Sequence, residues 1–434
     1  MLALGGCNGG TGNPFQEIVI DFDRNVGEIK MQYGANEDDN WEDFAESESI
    51  HELHKKIKTS YIRVWVSNPG YRKSTIPLKS NYYDFGELDR YVEAVLLSNA
   101  KPIILFAHAP EMLSENGQSS NSNPPKENDE FTAYVKEVVR HYKHSCENDL
   151  LVKDCNISDW YFEIWNEPYA DIWWEGENPR YIELFERTYA TIKGVSPESK
   201  VGGYSLGYFP NNKKRLHRFM QADTDFISLH HYGNSIYEYA GESEKMNFQP
   251  LLFYYNLLEL KQLYPDTEVI ITEYNSDYTP EAMKDLDEPY TAAWYASAII
   301  WEIKSESADI ELFYSATSNM PYGGFGMWSI RENKIVPWPI YYMKKRFVDI
   351  NTPGSQIVYT ENKRNDVGVL AVKNNKGRFI TLVNRENREN SAKLVVRPGY
   401  RVAEDIKTNK QYKPKESILE IPLEELEVKF LRFY

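Results

Sequence analysis

The sequence predicts an α/β fold, a closed (β/α)8 barrel with an accessory antiparallel β-sandwich, from three observations. Short apolar runs alternate with segments of helical period from about residue 30 to about residue 348. Eight of those runs are of strand length. After about residue 350 the pattern becomes short alternating strands separated by Gly, Asn, Lys and Pro. Strands that each feed a helix imply a parallel sheet, since a parallel connection needs a crossover. At this chain length a closed barrel is the economical way to bury it. An open doubly wound sheet is the alternative, but no Gly-x-Gly-x-x-Gly turn follows the first strand.

Taken in order, Glu17–Phe22 alternates like the C-terminal strands and is expected to join their sandwich, so residues 14–28 belong with it. The barrel proper is assigned to residues 29–349. Its strands are read at Ile29–Tyr33, Tyr61–Val66, Pro102–Ala107, Trp160–Trp165, Lys200–Tyr204, Phe226–His231, Glu268–Glu273 and Ile310–Ser315. Helical spacing recurs between them. Leu88, Tyr91, Val92, Val95 and Leu96 share one face, as do Val135, Val138, Val139 and Tyr142, and Leu251, Tyr254, Tyr255 and Leu258. Residues 350–434 supply the sandwich through Gln356–Thr360, Val367–Val372, Arg378–Val383, Lys393–Val396, Ile418–Ile421 and Val428–Phe433. No repeat or low-complexity linker divides the two units, so they are expected to pack tightly.

Composition bounds the function. A hydrophobic share of 41% excludes wholesale disorder, and a formal charge of −16 argues against a nucleic-acid partner, which needs clustered Lys and Arg. The 32 Tyr and 10 Trp suit sugar binding, because apolar C–H faces of sugars pack on aromatic rings, yet they serve equally to fill a core. No run approaches the roughly 20 apolar residues that span a bilayer. Residues 1–13 read as a flexible segment in which Leu4-Gly5-Gly6-Cys7 resembles the end of a lipoprotein signal, with Cys7 the lipid-bearing residue of an extracellular or cell-surface protein. Cys146 and Cys155, nine apart in one polar loop, are placed to close a short disulfide in such a setting.

In a barrel of this kind the active site gathers at the C-terminal ends of the strands. The fourth strand ends in Trp165-Asn166-Glu167-Pro168 and the seventh in Ile271-Thr272-Glu273-Tyr274-Asn275. Two carboxylates at opposed strand ends can flank one glycosidic bond, one protonating the leaving oxygen while the other attacks the anomeric carbon. Either glutamate alone is equally well a helix-start or strand-end carboxylate; their joint position carries the reading. This chemistry needs no cofactor. His230 and His231 are adjacent on a strand and face opposite ways, which argues against a metal site. His51 and His54 lie in a charged helical segment without zinc-protease spacing and are expected at the surface.

These motifs resemble those of the retaining hydrolases with clan A barrels, and among them glycoside hydrolase family 39. Tyr161–Pro168 with Trp173 and Trp174 looks like that family's acid/base segment, and Lys200-Val201-Gly202-Gly203 like its fifth strand. Gly323–Met327 followed by Pro337 and Pro339–Tyr342 is similar to its eighth-strand loop and last barrel helix, and Ala109–Leu113 to its third-strand loop. The resemblance spans about residues 60 to 350. It implies Glu167 as acid/base and Glu273 as nucleophile. Asn166 would then hydrogen-bond the hydroxyl beside the anomeric carbon, Arg63 would hold the nucleophile charged and oriented, Tyr232 would touch it, and His230 would line the sugar site. Trp328 is a platform under a sugar ring or a core tryptophan, and Trp173 and Trp174 are an outer subsite or loop packing. Two sugar-facing positions depart from the family pattern: Trp65 stands where a His is common, and His108 where a large apolar residue is expected. The resemblance therefore implies a retaining hydrolase of a β-xyloside or an extracellular polysaccharide, and the sugar stays open. A transglycosylase using the same glutamates and a non-catalytic carbohydrate-binding barrel are the alternatives.

Overall fold

The computed structural model describes residues 16–37, 41–67, 78–79, 82–117, 121–152, 155–207, 209–233, 242–278, 289–318, 325–332, 334–400 and 402–434. Cys7, with the rest of residues 1–13, lies outside them, as do Gly323 and Gly324. A first strand, β1 (Ile18–Glu28), precedes eight that close into a parallel barrel: β2 (Gln32–Asn36), β3 (Tyr61–Trp65), β4 (Lys101–Phe106), β5 (Tyr161–Ile164), β6 (Lys200–Leu206), β7 (Phe226–Tyr232), β8 (Glu268–Asn275) and β9 (Ile310–Phe313). Closure is made by β9 pairing with β2, Leu312 opposite Gly34. Helices α1 (Trp41–Glu46), α2 (Glu48–Lys56), α3 (Gly86–Leu97), α4 (Asn128–Glu147), α5 (Asn178–Val195), α6 (Phe209–Phe219), α7 (Glu242–Leu263), α8 (Tyr290–Ser305) and α9 (Pro339–Ile350) occupy the connections. The first barrel strand thus starts three residues later than its apolar run does.

The C-terminal strands are β10 (Gln356–Glu361), β11 (Val367–Asn374), β12 (Gly377–Asn384), β13 (Asn390–Arg397), β14 (Ala403–Asp405), β15 (Gln411–Tyr412), β16 (Ile418–Leu423) and β17 (Val428–Phe433). With β1 they form one nine-stranded sheet in the order β15-β14-β17-β12-β11-β10-β1-β13-β16. The expectation of a wholly antiparallel unit is corrected at one seam, where β1 runs parallel to β13. Alternation sets the two faces of β11. Val367, Val369 and Ala371 join the sandwich core, while Leu370 and Val372 join the barrel's large core cluster. Burial on both faces is why β11 reads as a nearly continuous apolar run, whereas β13 and β16 alternate.

Two helical readings need correction. On α7 the buried face carries Phe253, Leu257 and Leu260, whereas Tyr255 and Leu258 are exposed. That helix is apolar on most sides, so spacing alone does not fix which side faces inward. His51 and His54, expected at the surface, are buried on α2. Glu37, the residue after β2, supplies the polar partner that makes this possible: its Oε1 stands 2.8 Å from His54 Nε2. The same carboxylate accepts from the Thr317 hydroxyl after β9 and so ties the eighth-strand loop to the first strand. Cys146 and Cys155 form a disulfide with Cα atoms 4.9 Å apart; Cys146 sits on the last turn of α4, not in a loop.

Candidate active site

The floor of the barrel interior is apolar, built from Tyr61, Ile103, Phe226, Ile270, Ile310 and Leu312. Strand side chains alternate, so the residue two positions further along each strand also points inward, one layer nearer the mouth. On four strands that next position is polar: Arg63 on β3, Glu163 on β5, Ser228 on β7 and Thr272 on β8. Arg63 is fully buried and forks to three oxygens. Its Nε donates to Glu163 Oε2 at 2.7 Å, Nη1 to Glu273 Oε1 at 2.7 Å and Nη2 to Asn166 Oδ1 at 3.0 Å. Burial works against the guanidinium charge, but Glu163 and Glu273 outweigh it and hold Arg63 above its ordinary value. The reverse holds at Glu163. Burial raises its pKa, yet Arg63 and the hydroxyls of Ser228 and Ser205 bring it below the usual range.

Glu273 reaches this layer through a bulge. The β7–β8 register pairs Ile271 with Leu229 and then Glu273 with His230, leaving Thr272 as the extra residue. Thr272 and Glu273 therefore both face the interior, Thr272 donating to Glu163 Oε1 at 3.2 Å. The second Glu273 oxygen accepts from the Tyr232 hydroxyl at 2.7 Å. Glu167 is aimed differently. Its φ is +44° and that of Trp165 is +67°, both in the left-handed region that non-glycine residues occupy at a cost of about 1–3 kcal/mol. Tyr204 and Ser205, at the end of β6, are also left-handed, at +89° and +41°. Backbone strain thus gathers at two neighbouring strand ends, where it turns Glu167 toward the mouth and Ser205 onto Glu163 Oε1 at 2.7 Å.

His230 joins the two glutamates. Its Nδ1 lies 2.6 Å from Glu167 Oε1 and 3.4 Å from Glu273 Oε2. Those two carboxylate oxygens are therefore at most about 6 Å apart, the sum of the two distances, inside the span of paired catalytic carboxyls. The Glu167 and Glu273 side chains are 18% and 11% exposed, so both remain accessible from the mouth. Asn166 spends its carbonyl oxygen on Arg63, which leaves the amide NH2 as the group free to meet a ligand.

The remaining sequence-designated residues divide. Trp65 lies with its ring 5.1 Å from the Arg63 guanidinium and 5.7 Å from the His108 ring. His108 is also packed by Trp165 and stacked on Trp173. Burial depresses its pKa to about 3, so it is a neutral ring in a tryptophan box. Trp328 is corrected to a core residue. It is fully buried, donates from Nε1 to Thr317 Oγ1 at 2.7 Å and packs edge-on against His54 and Tyr341, so no ring face is open to a sugar. Trp174 is buried as well, leaving only Trp173 of that pair near the mouth.

Sequence reasoning missed Glu163, Ser205 and Tyr169. Glu163 carried a signal, a charge inside an otherwise apolar strand. Tyr169 follows the Glu167 turn, and its hydroxyl accepts from Gly207 N at 2.9 Å. A Cβ at Gly207 would collide with that hydroxyl, so any larger residue there would push Tyr169 aside. Among the described residues no group of three or more His, Cys, Asp or Glu is arranged to hold a metal ion.

A closed parallel barrel with two facing carboxylates at its mouth is the arrangement that cleavage of a glycosidic bond by paired carboxyls requires. The particular family follows from comparison: the sequence model of glycosyl hydrolases family 39 matches residues 20–385, and the chain belongs to that family. It is 24% identical over 336 residues to a β-xylosidase of Geobacillus stearothermophilus and 25% identical over 325 residues to one of Caldicellulosiruptor saccharolyticus. Those matches take in 67% and 70% of this chain and 61% and 64% of the relatives' own lengths. In fold it resembles the crystal structure of a monomeric β-xylosidase from Caulobacter crescentus, with a TM-score of 0.68 at 16% identity, covering 96% of this chain and 99% of the other.

Proposed function

We propose that the protein is a retaining glycosidase acting on β-xylosides or on an extracellular polysaccharide by double displacement. The observation that carries this reading is the single His230 nitrogen within reach of both Glu167 and Glu273. It keeps their facing oxygens within about 6 Å, and a separation of about 5–5.5 Å between carboxyls leaves room for covalent attack but not for an intervening water. Glu273, gripped by Arg63 and Tyr232, attacks the anomeric carbon. Glu167 gives its proton to the leaving oxygen and then, as a base, takes one from the incoming water. The Asn166 amide donates to the hydroxyl beside the anomeric carbon, and His230 keeps the two carboxylates in register. The family membership and the β-xylosidase relatives support a β-xyloside over other sugars. An extracellular or cell-surface location is part of the same proposal and rests on the Leu4–Cys7 pattern and the Cys146–Cys155 disulfide.

The test is hydrolysis of a panel of aryl glycosides followed by NMR of the first anomer released. Retention, with β-xylose formed first from an aryl β-xyloside, is expected. Glu273→Ala should abolish turnover. Glu167→Ala should spare activated aryl leaving groups, which need no proton, and regain rate with azide through a β-glycosyl azide. Release of the α-anomer first, or equal damage by Glu167→Ala on good and poor leaving groups, overturns the assigned roles. Sugar binding without turnover on the whole panel would favour the non-catalytic reading.

A further inference from the structure

Charge is divided unequally along the chain. Residues 351–434 carry 16 Lys and Arg against 11 Asp and Glu, net +5, whereas residues 1–350 carry 33 against 54, net −21. Part of the sandwich's excess is concentrated at one end of the β11–β12 hairpin. Lys373 stands directly opposite Arg378, and the next pair, Asn374 and Gly377, closes the turn that holds Lys376. Like charges placed opposite one another destabilise a hairpin. No carboxylate among the described residues relieves them by an ion pair. Lys373 Nζ donates to the Phe22 carbonyl at 3.1 Å, and Lys376 Nζ to the Asp349 carbonyl at 3.1 Å, while the Asp349 carboxylate is taken by Lys58. Arg378 lies over the ring of Tyr400, 5.5 Å from its centre. In the same row Gln356 sits beside Lys373 and turns its amide nitrogen to Glu28. The three cations and the Asn375 amide line a shallow hollow of about 530 Å3 in which no apolar side chain takes part.

We propose that this hollow is an ancillary binding site for an anionic polysaccharide bearing carboxylates or sulfates. Three cations that make no ion pair among the described residues supply the attraction. Asn375 adds an amide group of the kind that binds sugar hydroxyls. A bilayer is disfavoured as the partner, since the hollow is concave and offers nothing apolar to insert. The hollow adjoins the entry to the barrel's first strand, where Gly354 N donates to the Ile29 carbonyl at 2.8 Å just before β2 begins. That is the N-terminal end of the barrel, opposite the mouth. A polymer bound there does not fill the catalytic cleft; it tethers the enzyme to an acidic matrix. The choice of a saccharide over other polyanions rests on the proposed glycosidase function, whereas the binding readout does not need turnover.

The experiment is affinity electrophoresis of the full chain in gels containing polygalacturonate, neutral xylan or duplex DNA, with anionic phosphatidylserine vesicles tested by sedimentation. Retardation by polygalacturonate, none by neutral xylan, and loss of the effect in 0.5 M salt (about 4 Å Debye length) are expected. Lys373→Glu/Lys376→Glu/Arg378→Glu should weaken retardation at least tenfold, and the milder Lys373→Gln/Lys376→Gln/Arg378→Gln should weaken it in the same direction. Both should keep the wild-type melting temperature and kcat/KM on a small aryl glycoside. Undiminished retardation of both triple variants, equal retention on neutral xylan, or stronger binding to DNA or vesicles overturns the proposal.

Discussion

At the mouth of the barrel Arg63 faces Glu163 and Glu273; in the barrel wall Lys344 of α9 faces Glu311 of β9, with Glu302 of α8 nearby. Both sets are buried, and both oppose carboxylates to a base, yet they settle differently. At the mouth the charged forms win, with Arg63 pushed up and Glu163 pushed down. In the wall the neutral forms gain. Burial raises Glu302 well above the carboxylate range, raises Glu311 to about 7 and lowers Lys344. The difference lies in the hydrogen bonds each charge collects. Arg63 meets three oxygens at 2.7–3.0 Å through a planar fork, two of them on separate carboxylates, while Lys344 meets the two oxygens of one carboxylate, Glu311, and the Gly34 carbonyl at 3.1–3.3 Å. A buried charge survives only where enough dipoles and counter-charges replace water. The mouth favours its charged forms, and the wall weakens them.

The largest expected effect comes from removing the fork while keeping the charge. Arg63→Lys cannot reach Glu163, Glu273 and Asn166 together, and we expect kcat/KM on an aryl glycoside to fall about 1,000-fold, about 4 kcal/mol of transition-state stabilisation. A loss below tenfold would show that charge alone positions Glu273 and would erase the contrast. Next is Glu163→Gln, which leaves Arg63 buried with one counter-charge fewer. It should cost about 3 kcal/mol in urea unfolding, and a cost below 1 kcal/mol would place Glu163 with the wall carboxylates.

The contrast also marks what could be read from the sequence. Arg63, Asn166, His230 and Tyr232 came from the resemblance of the surrounding motifs to the family, whereas Glu167 and Glu273 were legible because each stands at the end of an apolar run that reads as a strand. Thr272 and Glu273 facing the same side was not, because a bulge breaks the alternation that such reading depends on. Nor was the left-handed backbone at Trp165 and Glu167, since neither residue type signals it. His54 was misplaced, and Trp328 was left open between platform and core, for a shared reason. Their polar partners, Thr317 and Glu37, lie outside their own elements, and burial of a polar ring is legible only when its partner is known.

Acidification tests the neutral buried histidines separately. His108 and His231 are depressed to about 3 by burial, so between the unfolded value near 6.5 and about 3 the unfolded state binds the extra protons. Their contribution is therefore complete above pH 6.5 and is lost as pH falls through that window, by up to about 1.4 kcal/mol per pH unit for each histidine. Urea unfolding of wild type and His231→Gln between pH 7 and 4 checks this. A variant with the same pH slope as wild type would remove His231 from the account.

The smallest effect is predicted for Glu302→Gln, and the reason lies in the hydrogen bonds around His231. Gln249 Nε2 donates to the Tyr232 carbonyl at 3.0 Å, so Gln249 Oε1 is the atom facing His231 Nε2 at 2.8 Å. An amide oxygen only accepts, so His231 Nε2 carries the proton; with the ring neutral, Nδ1 is an acceptor. Glu302 Oε1, 3.0 Å away, must then donate, which requires a protonated carboxyl and agrees with the upward shift that burial imposes. Glutamine offers an N–H at the same place. Below the unfolded carboxylate value near 4.3 the variant should match wild type. Above it, wild type must keep a proton that the unfolded chain releases, so Glu302→Gln should become equal or more stable as pH rises. At pH 7 a loss greater than about 1 kcal/mol would mean that Glu302 is charged after all, and that wall and mouth obey the same rule.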